Sequence, residues 1–250
     1  MESILFIGHG TRSKEGAREA KEFIQKLMEE ITDPIKEYAF LELAEPTIEQ
    51  GFKACIAQGA TSIYVVPLFL LAAGHIKEDI PFRLTALMKK HPGTQVFMAN
   101  PFGVQESILD SIAEEIARAA GNLTGEDAIL IVGRGSSDSS LQHHFSQITA
   151  GISERTGINN VQACYLAAAK PAFPLAITEL NRTTTGRLVV VPYLLFAGLL
   201  LSEVFSVVKE MQQTGNQTVV TEPLSRHKSM KDLVVAKVRG KGVQYAALGH

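Results

Sequence analysis

The chain has little cysteine: two in 250 residues, Cys55 and Cys164, without CxxC spacing. That argues against a disulfide scaffold and against a thiolate metal site, and leaves both as small core hydrophobes. No long apolar run is present either. The longest, from Leu188 to Leu201, is broken by Pro192, Tyr193 and Gly198, and is too short to span a bilayer. Charge of one sign is also missing. A formal net charge of −2, with no Lys/Arg stripe interleaved with aromatics, gives no footprint for nucleic acid. Met1-Glu2-Ser3 lacks the basic region of a signal peptide, so a reducing cytoplasm is the expected compartment. Neither GxGxxG nor GxxxxGK[ST] occurs, which weakens a nucleotide-binding reading in which Gly-rich turns cradle phosphate.

What is present is an alternation of strand-like and helix-like segments. Ile4 to Ile7 is an apolar run ending at Gly8-His9-Gly10. Ala17, Ala20, Ile24, Leu27 and Met28 then recur at helical spacing and predict a helix over 14–31. Strands are expected at 38–43, 63–66 and 95–99, and helices at 47–57, 77–90 and 105–119. Asn122 to Asp127 is a polar break containing Gly125. Alternation of this kind predicts an α/β protein with parallel sheets flanked by helices.

The order then starts again. Ile129-Leu130-Ile131-Val132-Gly133-Arg134-Gly135 repeats Ile4-Leu5-Phe6-Ile7-Gly8-His9-Gly10 at an offset of 125. At the same offset, Phe40–Pro46 meets Tyr165–Pro171 and Val65–Ala72 meets Val190–Ala197. A period this long marks a duplicated half-domain rather than a solenoid unit. It divides the chain into residues 1–122 and 123–250, two halves expected to face one another across a cleft. In open α/β sheets ligands bind outside the carboxyl ends of the strands, which selects residues 8–12, 42–46, 67–75 and their counterparts.

At those loops the copies differ in chemistry. His9 is matched by Arg134, Glu42 by Ala167 and His75 by Leu200, whereas both glycines of the first loop and the prolines Pro46/Pro171 and Pro67/Pro192 persist. Joint loss of three potential ligands on an intact scaffold points to one functional site in the first half. Two imidazoles and a carboxylate suit Fe²⁺, Co²⁺ or Ni²⁺ with positions left open for substrate. The same groups accept protons near neutral pH. Each also has a structural reading: a turn histidine bonded to backbone for His9, a surface helix start for His75. Glu42 is expected within an apolar strand, where a charge needs a partner. Arg134 and Arg12 are candidate carboxylate clamps, with Ser136 and Ser137 as further hydrogen-bonding groups. For Arg134 a salt bridge at the domain junction is the competing reading. His91, His143, His144, His227 and His250 are expected to be uninvolved.

Taken together, Ile7–Arg12, Phe40-Leu41-Glu42 with Glu45-Pro46-Thr47, Val65-Val66-Pro67 with Gly74-His75, and Gly133–Asp138 resemble the sirohydrochlorin chelatases, in their long, internally duplicated form. The likeness runs from residue 3 to residue 235. It implies a class II chelatase fold of two ferrochelatase-like α/β half-domains. It also implies ATP-independent insertion of Fe²⁺ or Co²⁺ into sirohydrochlorin, with His9, His75 and Glu42 as metal-binding and catalytic residues. The metal is then a substrate, and no permanently bound cofactor is expected. The histidine-rich tail and cluster-forming cysteines of some long members are missing here, which favours the iron (siroheme) branch over the cobalamin one. Neither nucleic acid nor membrane is expected as a partner. Because one duplicated chain supplies both halves, a monomer is expected. A non-catalytic metal or tetrapyrrole carrier on the same fold is the alternative that residues alone leave open.

Overall fold

The computed structural model describes residues 1–72, 75–138, 140–241 and 245–248; the side chain of His75 lies outside the described residues. The chain forms two compact units. One comprises Met1–Gly103 with Met230–His250, the other Val104–Ser229.

The first unit is built on a five-stranded sheet in the order β2-β1-β3-β4-β9. Its strands are β1 (Glu2–Gly8), β2 (Ile35–Phe40), β3 (Ser62–Pro67), β4 (Gln95–Ala99) and β9 (Tyr245–Ala247). The first four pair in parallel, and β9 pairs antiparallel with β4 at the edge. Helices α1 (Lys14–Glu30), α2 (Ile48–Ala57), α3 (Ile80–Lys90) and α8 (Lys228–Arg239) accompany this sheet. β1 is buried from Ser3 to Gly8, as a central strand covered on both faces must be. Leu5 and Ile7 join Phe52, Ile80 and Leu84 in one core cluster, while Ile4 and Phe6 alternate to the other face. Ser13 starts α1 by accepting the Gly16 N–H, and a reciprocal Thr47/Gln50 capping box starts α2.

The second unit repeats the plan with a four-stranded parallel sheet, β6-β5-β7-β8. Its strands are β5 (Ala128–Gly133), β6 (Val161–Tyr165), β7 (Leu188–Tyr193) and β8 (Thr218–Val220). Its helices are α4 (Glu106–Ala120), α5 (Ser140–Thr156), α6 (Phe173–Thr183) and α7 (Leu199–Gln213). Cys55 and Cys164 are fully buried, and burial pushes their thiols up to about 11 and about 12. Both are core residues, as expected.

The packing boundary differs from the repeat boundary at 122/123. Helix α4 closes the first sequence copy but packs in the second unit, and α8 closes the second copy but packs in the first. Arg155 of α5 holds Glu106 and Asp110 of α4, and Lys231 of α8 pairs with Glu30 of α1. Each compact unit therefore owns the terminal helix of the other copy.

The duplication is carried into backbone detail. Leu43 and Ala168, 125 residues apart, both adopt positive φ, at 63° and 54°. Glu45-Pro46 and Lys170-Pro171 are both cis. Phe40 N–H donates to Pro46 O at 2.8 Å, and Tyr165 N–H to Pro171 O at 2.9 Å.

Candidate metal centre

Three loops converge at the carboxyl ends of the first sheet. Past the end of β2, Leu41 N–H donates to Gly8 O at 2.9 Å and Glu42 N–H to His9 O at 3.0 Å. Leu68 N–H donates to Ile7 O at 2.8 Å, tying in the loop after β3. That loop is itself tied to the one after β4, through Phe102 N–H to Phe69 O at 3.1 Å and Gly103 N–H to Leu70 O at 2.8 Å. Gly10 permits the closest approach. Its φ is +91°, and a Cβ there would lie 1.8 Å from Glu42 O. Only glycine fits.

These backbone constraints bring His9 and Glu42 together. His9 Nε2 stands 3.5 Å from Glu42 Oε1, with the side chains 25% and 45% exposed. His9 Nδ1 lies 3.2 Å from Gly10 O. A carbonyl only accepts, so Nδ1 carries the proton in that contact, and Nε2 is then the acceptor nitrogen of a neutral ring. A proton on Nε2 or a divalent cation fits between an imidazole nitrogen and a carboxylate oxygen at this separation. Backbone-fixed orientation of this kind is the usual support of a metal-ligating histidine. The Phe69 ring, 6.2 Å from that of His9, gives the site an apolar flank.

Glu42 does not occupy the position expected of it. β2 ends at Phe40, because Leu43 turns into positive φ, and Glu42 lies on the exposed loop beyond. Its partner is His9, but its carboxylate is not held in an apolar strand. His75 opens a π-helical turn, His75–Asp79, leading into α3; its side chain lies outside the described residues. Among the described residues no group of three or more His, Cys, Asp or Glu is arranged to hold a metal; of the three candidate ligands, the structure brings His9 and Glu42 together.

The second unit reproduces the loops without the histidine and the glutamate. Leu166 N–H donates to Gly133 O at 3.0 Å and Ala167 N–H to Arg134 O at 2.8 Å. A Cβ on Gly135, φ +90°, would lie 1.8 Å from Ala167 O. Arg134 is exposed and, among the described residues, has no ion-pair partner; the junction salt bridge is not seen. Ser136 Oγ accepts the Asp138 N–H at 3.1 Å, as Thr11 Oγ1 accepts that of Ser13 at 3.1 Å. Its hydroxyl proton is still available to a ligand. Ser137 and Arg12 are exposed.

Of the histidines expected to be uninvolved, His227 is buried. His227 is 8% exposed, with Nδ1 2.8 Å from Ser111 Oγ, and burial lowers its pKa despite Glu115 nearby. The Nδ1 of His144 is also buried. The sequence signal was masked by charged neighbours such as Arg226 and Lys228.

The CbiX family model matches residues 3–119 and 128–241, segments whose starts lie 125 residues apart. The chain belongs to the CbiX family. Among CbiX-like proteins, the sirohydrochlorin ferrochelatase of Priestia megaterium is 37% identical over 98% of this chain and 94% of its own. The solved structure of SirB from Bacillus subtilis with Fe³⁺ is 32% identical and superposes with a TM-score of 0.85, covering 97% of this chain and 96% of that one. SirB from Bacillus subtilis subspecies spizizenii in complex with cobalt is 30% identical, with a TM-score of 0.82 and 98% coverage of both chains. No helix among the described residues is long and apolar enough to cross a membrane.

Proposed function

We propose that this protein is a sirohydrochlorin ferrochelatase of siroheme biosynthesis. It inserts Fe²⁺, and also Co²⁺, into sirohydrochlorin without ATP, acting as a cytoplasmic monomer. The observation that carries the reading is the approach of His9 Nε2 to Glu42 Oε1, 3.5 Å apart, at the strand ends where ligands of α/β sheets bind. It stands in a chain resembling sirohydrochlorin ferrochelatases along nearly its whole length.

The reaction exchanges M²⁺ for two pyrrole protons. The metal must be held loosely enough to leave, and a base must take each proton as the metal–nitrogen bonds form. A histidine and a carboxylate, joined by His75 from the loop after β3, provide a weak, open ligand set. Once the metal passes to the macrocycle, Nε2 and Oε1 regain their lone pairs and accept the protons. Arg134 and Arg12, with the hydroxyls of Ser136 and Ser137, hold carboxylates of the macrocycle. The likeness to a cobalt-bound SirB favours acceptance of Co²⁺, so the cobaltochelatase reaction is the second reading.

Anaerobic incubation with sirohydrochlorin and Fe²⁺ or Co²⁺, followed by the macrocycle absorption spectrum, tests this. Acceleration over the uncatalysed background that collapses in His9→Ala, His75→Ala and Glu42→Ala supports both reaction and site. Acceleration surviving all three substitutions discards the site. A folded wild-type protein that binds metal or tetrapyrrole without turnover is a carrier.

A further inference from the structure

The two copies of the strand-end loops differ in sign as well as in ligands. Positions 9, 42 and 45 hold an imidazole and two carboxylates; their equivalents 134, 167 and 170 hold a guanidinium, a methyl group and an ammonium. The backbone beneath is the same in both, down to the bonds from residue 42 to 9 and from 167 to 134. Glu42, Glu45, Arg134 and Lys170 are all exposed. The inversion therefore changes what each loop end attracts while leaving its shape alone.

Seven arginines of this chain hold carboxylates of their own: Arg18, Arg83, Arg118, Arg155, Arg182, Arg187 and Arg226. Arg134 and Lys170 have no carboxylate partner among the described residues. The loops that carry them are joined by the bond from Ala167 N–H to Arg134 O, and two unpaired cations there attract a polyanion. Between them in sequence stand exposed Ala167 and Ala168. Cations flanking exposed apolar groups match a flat macrocycle with a carboxylated rim.

We propose that Lys170 acts with Arg134 as a substrate-positioning pair. On this assignment the second copy lost the metal ligands and gained the carboxylate-binding charge, and Lys170 contributes to recognition of the polycarboxylated tetrapyrrole. Arg134 offers a planar fork for one carboxylate, and Lys170 a mobile point charge for another. The proposal rests on the chelatase reading for its choice of ligand.

The test is metal-free titration of the full-length protein with sirohydrochlorin, beside steady-state insertion of Co²⁺. It compares wild type, Arg134→Gln, Lys170→Gln and Lys170→Arg across a range of salt. The proposal expects the Kd for sirohydrochlorin to rise about threefold or more in each Gln variant, the scale of an exposed charge pair. It expects the loss in turnover to fall on KM rather than kcat, a shallower salt dependence, and recovery in Lys170→Arg. Unchanged Kd and KM in Lys170→Gln overturn it, as does an equal loss in Lys170→Arg. If the wild type binds sirohydrochlorin but inserts no metal, the chelatase reading fails while the binding arm still decides Lys170. If it inserts metal and Lys170→Gln is unaffected, only this inference fails.

Discussion

Substituting alanine at Gly10 and, separately, at Gly135 distinguishes the proposed metal centre from its scaffold, because the same perturbation can be applied to both copies. Each glycine has φ near +90°, and in each a Cβ would sit 1.8 Å from the carbonyl oxygen of the facing loop, Glu42 O or Ala167 O. Adopting positive φ costs alanine about 1–2 kcal/mol. Ordinary contact begins at 3.4 Å. The opposing carbonyl must therefore retreat by ~1.6 Å, and the total cost is about 2–4 kcal/mol in either copy. A domain with the usual 5–15 kcal/mol of stability remains folded, and urea unfolding should show similar losses for the two variants.

Function should not follow stability. In Gly10→Ala the displaced group is the backbone of Glu42, so the carboxylate moves relative to His9 Nε2. Misplacement of about 1 Å in a reacting constellation costs on the order of 100-fold in rate. Co²⁺ titration should show weakened binding, and insertion at saturating tetrapyrrole should collapse. In Gly135→Ala the displaced group is Ala167, which carries no ligand, so Co²⁺ affinity should hold. Equal loss of Co²⁺ affinity in the two variants would refute the reasoning, since the metal would then not depend on the His9–Glu42 geometry.

Two further predictions concern ionisable groups away from the site. Burial lowers the pKa of His227, so the native state binds a proton less readily than the unfolded chain. Stability is then constant above the unfolded value of about 6.5 and falls as pH drops from there through the folded pKa. Urea midpoints from pH 8 to 5 should show this slope, and His227→Gln should flatten it. Asp127 is 3% exposed; burial acts to raise its pKa, but hydrogen bonds from the Arg187 side chain and backbone and the Thr124 N–H prevail and lower it. Its contribution is present above the ordinary carboxylate pKa and lost as pH falls through the lower folded one. Asp127→Asn leaves the Arg187 cation unpaired, and unfolding at pH 7 should show a loss of about 3 kcal/mol.

The sequence carried the α/β order and the repeat because both rest on local apolar periodicity and on register. β4 matches its expected limits, and most helix ends fall within a residue of them. What it did not carry depends on tertiary choice. Nothing local tells α4 to leave its own copy for the second unit, or Tyr245–Ala247 to pair antiparallel with β4. The end of β2 was misplaced because Leu41 and Glu42 look like strand by composition, whereas the turn at Leu43 is a backbone state that leucine rarely adopts. His9 and Glu42 were legible as a pair only through their joint absence from the second copy. His227 had no such comparison and was hidden among polar neighbours.

The backbone features common to both copies belong to the fold, since they persist where His9 and Glu42 have no counterparts. Positive φ at Leu43 and Ala168 is one such feature, the glycine approach at 10 and 135 another. Metal chemistry should then reside wholly in the side chains, and the second copy should accept it by substitution. Arg134→His with Ala167→Glu places an imidazole and a carboxylate on loops joined by bonds of 2.8 and 3.0 Å, against 3.0 and 2.9 Å in the first copy. Leu200→His adds the equivalent of His75, on a half-buried position of α7. The triple variant should bind two Co²⁺ ions per chain where the wild type binds one. It should also bind sirohydrochlorin less well, having lost Arg134. A stoichiometry that stays at one in a folded variant would show that the first copy holds something its loops do not, and would return the π-helical turn at His75–Asp79, which has no counterpart before α7, to the centre of the metal site.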